Sequence, residues 1–258
     1  MATSDKEKFA EFCGRLERGE VRVAEKKDGE WVVNQWVKEE ILKGFACGEL
    51  IDMSLGQFNF YDKDTIAPRE FSLESKVRIV PGGSSVRRGA YLAPGVIVMP
   101  PAYVNIGAYI DSGTMVDSHA LVGSCAQVGK NVHLAAASQL GGVLEPVGAL
   151  PVIVEDNVFI GGNCGIYEGT IIEQNAVIGT GVVINRSTAI YDATTGDYIH
   201  PNDKGQVVVP AGAVVVAGSR PIVRGPGKEA GVHLYTPVIV KYRDEKTSSA
   251  ITLEDLLR

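Results

Sequence analysis

Between Val86 and Ile190 one aliphatic side chain recurs at every sixth position. The series runs Val86, Leu92, Val98, Val104, Ile110, Val116, Val122, Val128, Leu134 and Leu140. After one interruption it resumes as Val154, Ile160, Ile166, Ile172, Ile178, Ile184 and Ile190. Neither the helical period nor the two-residue alternation of a half-buried strand produces this spacing. A six-residue period predicts a parallel β-helix in which each hexapeptide forms one flat side of a triangular coil. Three hexapeptides close a coil, so residues about eighteen apart stack on one side. The seventeen aliphatic positions then make between five and six coils. A single coil cannot cover its own apolar side chain, so stability comes from stacking neighbours. Turns such as "VNIGAY" (104–109) and "VIGTGV" (177–182) place Gly, Asn and small residues where the chain must bend.

Two stretches break the period, "GGVLEPVGALP" (141–151) and "YDATTGDYIHPNDKG" (191–205). Both are expected to leave the coil as loops on one side. A last partial coil, "VVVPAGAVVVAGS", sets Val209 and Val215 six apart again. Ahead of the repeat, residues Lys6 to Arg18 read as a short helix. In "WVVNQWVKEEILKGFA", Val33, Trp36, Val37, Ile41 and Phe45 fall at helical spacing, which predicts an amphipathic helix. The expected organisation is a helical N-terminal domain (1–77), a β-helix (78–220) and a C-terminal strand and short helix (221–258).

Composition narrows the partners. The net charge of −6, with no basic run and no interleaving of basic and aromatic residues, argues against nucleic acid and acidic membrane surfaces. No apolar run approaches a membrane span and no leader segment is recognisable, so a cytoplasmic protein is expected. Cys13, Cys47, Cys125 and Cys164 lack metal-ligand spacing and read as free thiols. A triangular prism with apolar flanks suggests a closed threefold assembly, a homotrimer.

The densest polar stretch inside the repeat runs from Asn105 to Leu134. Asp111 and Asp117 hold the same hexapeptide position on successive sides, so within one chain they cannot form a carboxylate pair. Each follows an inward aliphatic residue, where turn capping is an alternative to function. His119, two residues beyond Asp117, is placed to share its groove. Arg78, entering the first coil, is a candidate clamp for a carboxylate or an ordinary surface ion pair. His119, His133, His200 and His233 show no ligand spacing on stacked sides, so no metal site and no permanently bound cofactor is expected.

The segment from Val86 to Leu134, together with "GGVLEP", "VIVEDNVFIG", "VPAGAVVVAG" and the closing "VIVKYRDEKTSSAITLEDLLR", resembles the 2,3,4,5-tetrahydropyridine-2,6-dicarboxylate N-succinyltransferases. The resemblance covers about Val21 to the C-terminus. It implies a trimeric left-handed parallel β-helix enzyme of the diaminopimelate and lysine route, with acyl-CoA as cosubstrate and active sites between subunits. By motif, Asp117 matches the Asp of "GTMVD" that contacts the acceptor amine, and Arg78 the Arg that binds an acceptor carboxylate, with the two placed to come from different chains. Gly179, Arg186 and Arg220 are candidates for contact with CoA. The chain also departs from the family pattern. His119 replaces a Trp, and in "FIGGNCGIYEG" Asn163 and Gly165 replace an Arg and a functional Glu. His119, Asn163 and Gly165 are therefore candidates for the acyl pocket. A succinyl group carries a carboxylate that needs a cation or several donors once desolvated, whereas an acetyl group does not. The substitutions lean toward acetyl-CoA as donor, with succinyl-CoA the alternative. Two other classes stay open at this point: a metal hydratase on the same scaffold, and a β-helix that only scaffolds partners.

Overall fold

The computed structural model describes residues 4–244. From Arg78 onward the chain makes short strands that pair in parallel with the strand one coil away. Tyr109–Ile110, for example, lies between Tyr91–Leu92 and Gln127–Val128. Three faces result. The first carries Arg78–Ile79, Ile97–Val98, Met115–Val116, His133–Leu134, Phe159–Ile160 and Val177–Ile178, and continues into the long strand Ala213–Pro221. The second runs from Ser85–Val86 to Val183–Ile184, and the third from Tyr91–Leu92 to Val207–Val209. The second and third faces have six strands each, in keeping with the expected number of coils.

All seventeen repeated aliphatic side chains are buried in one continuous column. A second inward position lies two residues before each of them. There Ala90, Ala102, Ala108, Ala120 and Ala126 alternate with Val96, Val132, Val158 and Cys164, all buried. The corners use a third position, three residues beyond the aliphatic one, where φ is positive. Gly107 and Gly113 take it without cost, and Asn131, Asn157, Asn163 and Asn175 take it as the next best choice. His119 (φ 62°) and Ala137 (φ 58°) hold the same position.

The N-terminal region covers the third face. Helices α1 (Asp5–Glu17) and α2 (Gln35–Cys47) pack against each other and onto Ile106 and Cys125 of the coil. Ser4 caps α1 through a reciprocal pair of bonds with Glu7. The helix expected across "WVVNQWVKEEILKGFA" begins only at Gln35. Glu30–Val33 is instead a strand paired with Ala24–Lys27, and Trp36 is 46% exposed. Here Trp31 and Val33 pack on Ile153 and Ile171 of the third face and on Leu150 of the insertion, so that contact outweighs local spacing. The buried Lys38 of α2 donates to the Ala149 carbonyl at 2.7 Å and ties the 141–151 insertion to the helix.

The second insertion is not a simple loop. Ile190–Asp192 and Asp197–Ile199 form an antiparallel hairpin, and Ile190–Asp192 also pairs with His233–Tyr242. That last strand turns back along Ala213–Pro221 and extends the first face beyond the coil. The helix expected near the C-terminus lies outside the described residues. No helix among the described residues is long and apolar enough to cross a membrane.

Candidate active site

Side chains that point away from the column occupy the positions just before and just after each aliphatic residue. Asp117 follows Val116 and so stands on the first face. Asp111 follows Ile110 and stands on the third, confirming that the two are apart. The Ser118 N–H donates to Asp117 Oδ1 at 2.7 Å, and the Ser112 N–H makes the same bond to Asp111. The turn-capping bond is therefore common to both. What distinguishes Asp117 is its second oxygen, Oδ2, which lies 3.8 Å from His133 Nε2.

Asp117 begins a vertical column of small residues. In parallel register, Asp117, Ala135, Gly161 and Gly179 occupy equivalent positions on successive strands of the first face. Asp117 and Gly179 are three strands apart, about 14 Å. A Cβ at Gly161 would lie 2.6 Å from Thr180 N and 2.8 Å from the Ile178 carbonyl oxygen, so only glycine fits. Ser118, Ala136, Gly162 and Thr180 form one bank of this smooth strip, and His133, Phe159 and Val177 form the other. Arg78 stands on the same face of the same chain, two strands from Met115, about 10 Å away.

The other candidates separate. His119 and Asn163 sit on one stacked corner between the first and second faces, with Ala137 between them. The Ala137 N–H donates to Ser118 O and the Asn163 N–H to Ala136 O. Both side chains are exposed, and their left-handed backbone gives each residue a turn-making role. His119 therefore does not share Asp117's contact; His133 does. Gly165 is on the second face, buried beneath the Tyr167 ring, and a Cβ there would lie 2.6 Å from Tyr167 Cε2. The same ring lies over Gly141, whose added Cβ would be 2.7 Å from Cδ1. Within one chain Asp117 and Gly165 thus face different directions.

Of the three CoA candidates, Gly179 lies in the small-residue strip. Arg220 is on the hairpin that extends the first face, opposite Leu234. Arg186 is elsewhere: its guanidinium is 3.4 Å from Glu168 at the corner between the second and third faces. It lines a cavity of about 430 Å³ with Trp31, Leu150 and Lys204, well away from Asp117. The four cysteines are free thiols, and Cys164 Sγ donates to the Gly179 carbonyl at 3.0 Å. Among the described residues no group of His, Cys, Asp and Glu is arranged to hold a metal ion.

Sequence reasoning weighed His133 only as a metal ligand. The signal that places it beside Asp117 is register: residue 133 pairs with residue 115 one coil earlier.

Comparison with known proteins agrees with this architecture. A family model described as tetrahydrodipicolinate N-succinyltransferase N-terminal matches residues 1–46. Another, described as hexapeptide repeat of succinyl-transferase, matches residues 151–186. A relative from Methylococcus capsulatus is 50% identical over 258 residues, covering 98% of this chain and 90% of its own. One from Thioalkalivibrio sulfidiphilus is 48% identical over 100% of this chain and 91% of its own. One from Ralstonia pickettii is 46% identical over 98% of this chain and 89% of its own. All three bear the name 2,3,4,5-tetrahydropyridine-2,6-dicarboxylate N-succinyltransferase.

Proposed function

The chain belongs to the 2,3,4,5-tetrahydropyridine-2,6-dicarboxylate N-succinyltransferase family, and from that premise we propose that it transfers an acyl group from acyl-CoA directly to the amine of the ring-opened acceptor, 2-amino-6-oxopimelate. It is an acyltransferase of this type, serving diaminopimelate and lysine synthesis. The observation that carries the reading is the first face itself. A carboxylate at its foot, Asp117, opens onto a flat strip of Ala135, Gly161 and Gly179. A slender pantetheine arm fits along such a strip, and bulkier side chains there would block it.

In the proposed mechanism Arg78 holds an acceptor carboxylate as a charge-assisted clamp. Asp117 accepts a hydrogen bond from the amine and takes its proton as the nitrogen attacks the thioester carbon. Holding both reactants in line is the main source of rate, and N–H groups of the corner stabilise the oxyanion. Because Asp117 and Gly165 look out from different faces of one chain, they meet in a trimer whose first face stands against the second face of its neighbour. The exposed Leu55, Phe58, Phe60 and Leu73 offer apolar surface for such an assembly. A left-handed coil and a cytoplasmic location complete the proposal.

The relatives' name favours succinyl-CoA as donor. Acetyl-CoA is a second reading, favoured by Asn163 and Gly165: the corner and face that carry them present a turn residue and a ring-covered glycine. The test is CoA thiol release with the cyclic dicarboxylate, comparing the two donors at matched concentration. Asp117→Asn is expected to abolish turnover and leave the assembly state unchanged in light scattering. Near-normal kcat in that variant, or no thiol release from either donor, would refute the reading.

A further inference from the structure

On the first face, the outward position just before each inward aliphatic residue carries Arg78 at the first coil and then Ile97, Met115, His133, Phe159 and Val177; His133 breaks the apolar run that follows Arg78, and it does so beside Asp117. The imidazole is fixed on its other side by Phe159, with ring centroids 5.1 Å apart and planes at 84°. Its side chain is 13% exposed, against 29% for Asp117. The carboxylate is thus the outer member of the pair and the imidazole the inner one. Asp117 Oδ1 is held by the Ser118 N–H, which leaves Oδ2 to face both His133 Nε2 and an incoming amine.

Resting on the acyl-transfer reading above, we propose that His133 is the positioning residue of this site: it steadies Asp117 from behind in its ionised, proton-accepting orientation and does not itself touch the substrate. In the reaction the amine nitrogen bonds to the thioester carbonyl carbon and the C–S bond breaks. The proton released by nitrogen passes to Asp117 and leaves on the CoA sulfur as the thiol. The imidazole, 3.8 Å from Oδ2, orients the carboxylate at the start of this step. It also fixes which oxygen receives the proton. Among the described residues, the flanking strands present Met115 and Asp117 to the ring on one side and Phe159 and Gly161 on the other, and of these four Asp117 is titratable.

The test uses the intact protein with two substitutions. His133→Gln removes the ring, and His133→Phe keeps a ring of similar size against Phe159. Both are expected to lower kcat by roughly tenfold to a hundredfold, with KM for acyl-CoA and the melting temperature of His133→Phe close to the unaltered protein. Histidine ordinarily changes charge between about pH 5 and 8, so both variants should also flatten the pH dependence of kcat across that window. Wild-type kcat and pH profile in His133→Phe would assign the ring to packing and overturn the proposal. An equal loss in kcat and in acyl-CoA binding would do the same. Absence of turnover in the unaltered protein with every acyl-CoA would overturn the acyl-transfer reading and this proposal with it, which separates the two failures.

Discussion

Replacing Gly165 by Ala tests whether Gly165 and Tyr167 act as one unit on the second face. The added Cβ would sit 2.6 Å from Tyr167 Cε2, 2.9 Å from its hydroxyl oxygen and 3.0 Å from Cζ. None of these contacts is tolerable, but all are to a side chain that is 40% exposed and can swing away. The cost is therefore that of lifting the ring from its glycine floor, and the backbone need not move. Re-exposing on the order of 60 Å² of aromatic surface, at ~25 cal/mol per Å², costs about 1.5 kcal/mol. Alanine in place of glycine returns roughly 0.5–1 kcal/mol through the unfolded chain. Gly165→Ala should therefore destabilise by about 0.5–1 kcal/mol when Tyr167 is present. In a Tyr167→Ala background it should stabilise by a similar amount.

The coupling of about 1.5 kcal/mol is measured by a double-mutant cycle in urea at fixed protein concentration. A coupling below roughly 0.3 kcal/mol, the range of independent sites, would refute the reasoning. The same geometry bears on chemistry. A glutamate placed at residue 165 meets the same ring and must displace it, a cost that Tyr167→Ala removes.

Two further outcomes follow from the buried groups. Burial holds the Lys38 ammonium below its ordinary value of 10.5, so across the interval below 10.5 the folded protein binds fewer protons than the unfolded chain, and stability rises with pH there. The stability of the unaltered protein minus that of Lys38→Met should accordingly increase between pH 7 and 10 in urea titrations; a flat difference would show that burial imposes no such penalty. Burial also pushes the Cys13 and Cys125 thiols up to about 12, so iodoacetamide at pH 8 should alkylate the half-buried Cys47 well ahead of both, as read by peptide mass spectrometry. Labelling of Cys125 at the pace of Cys47 in the native protein would contradict its placement between the coil and α2.

The aliphatic column was legible because burial at one position per hexapeptide is enforced without exception, and a regular constraint leaves a regular trace. The corner positions left a weaker one: Gly and Asn are visible there, but His119 and Ala137 occupy the same left-handed backbone and look like ordinary side-chain choices. That is why the sequence does not mark His119 as a corner residue. The strand Glu30–Val33 was hidden for a different reason. Its partners Leu150, Ile153 and Ile171 are more than a hundred residues away, and no local period reports them. The strip above Asp117 was hidden by the insertion, which makes residue 133 pair with 159 where it otherwise pairs one coil, eighteen residues, away. Counting from Asp117 without removing those extra residues puts Gly161 on the wrong face.

Once the insertion is removed, every outward residue has an address made of a face and a level, and the three faces have unequal freedom. The third is covered by the chain's own N-terminal region: Arg22 stacks on Tyr109 at 3.6 Å and bonds Gln127, while Lys26 and Trp31 both bond Glu155. Asp111 stands on that face, so it shares the hexapeptide position and the turn bond of Asp117 but lines a cavity with Arg22 and Lys26 of the N-terminal region. The first and second faces are left to meet a substrate or a neighbouring copy. On the first, polar side chains and backbone-tight glycines gather around Asp117. On the second, a single ring occupies the level where Gly165 leaves room for it. Asn163 and Gly165 therefore stand on the corner and on the second face, and not on the face that carries Asp117. Chemistry at the amine should persist, and any change in selectivity should follow the second face. A donor preference altered by Tyr167→Ala without a change in the pH dependence of kcat is the behaviour this division requires.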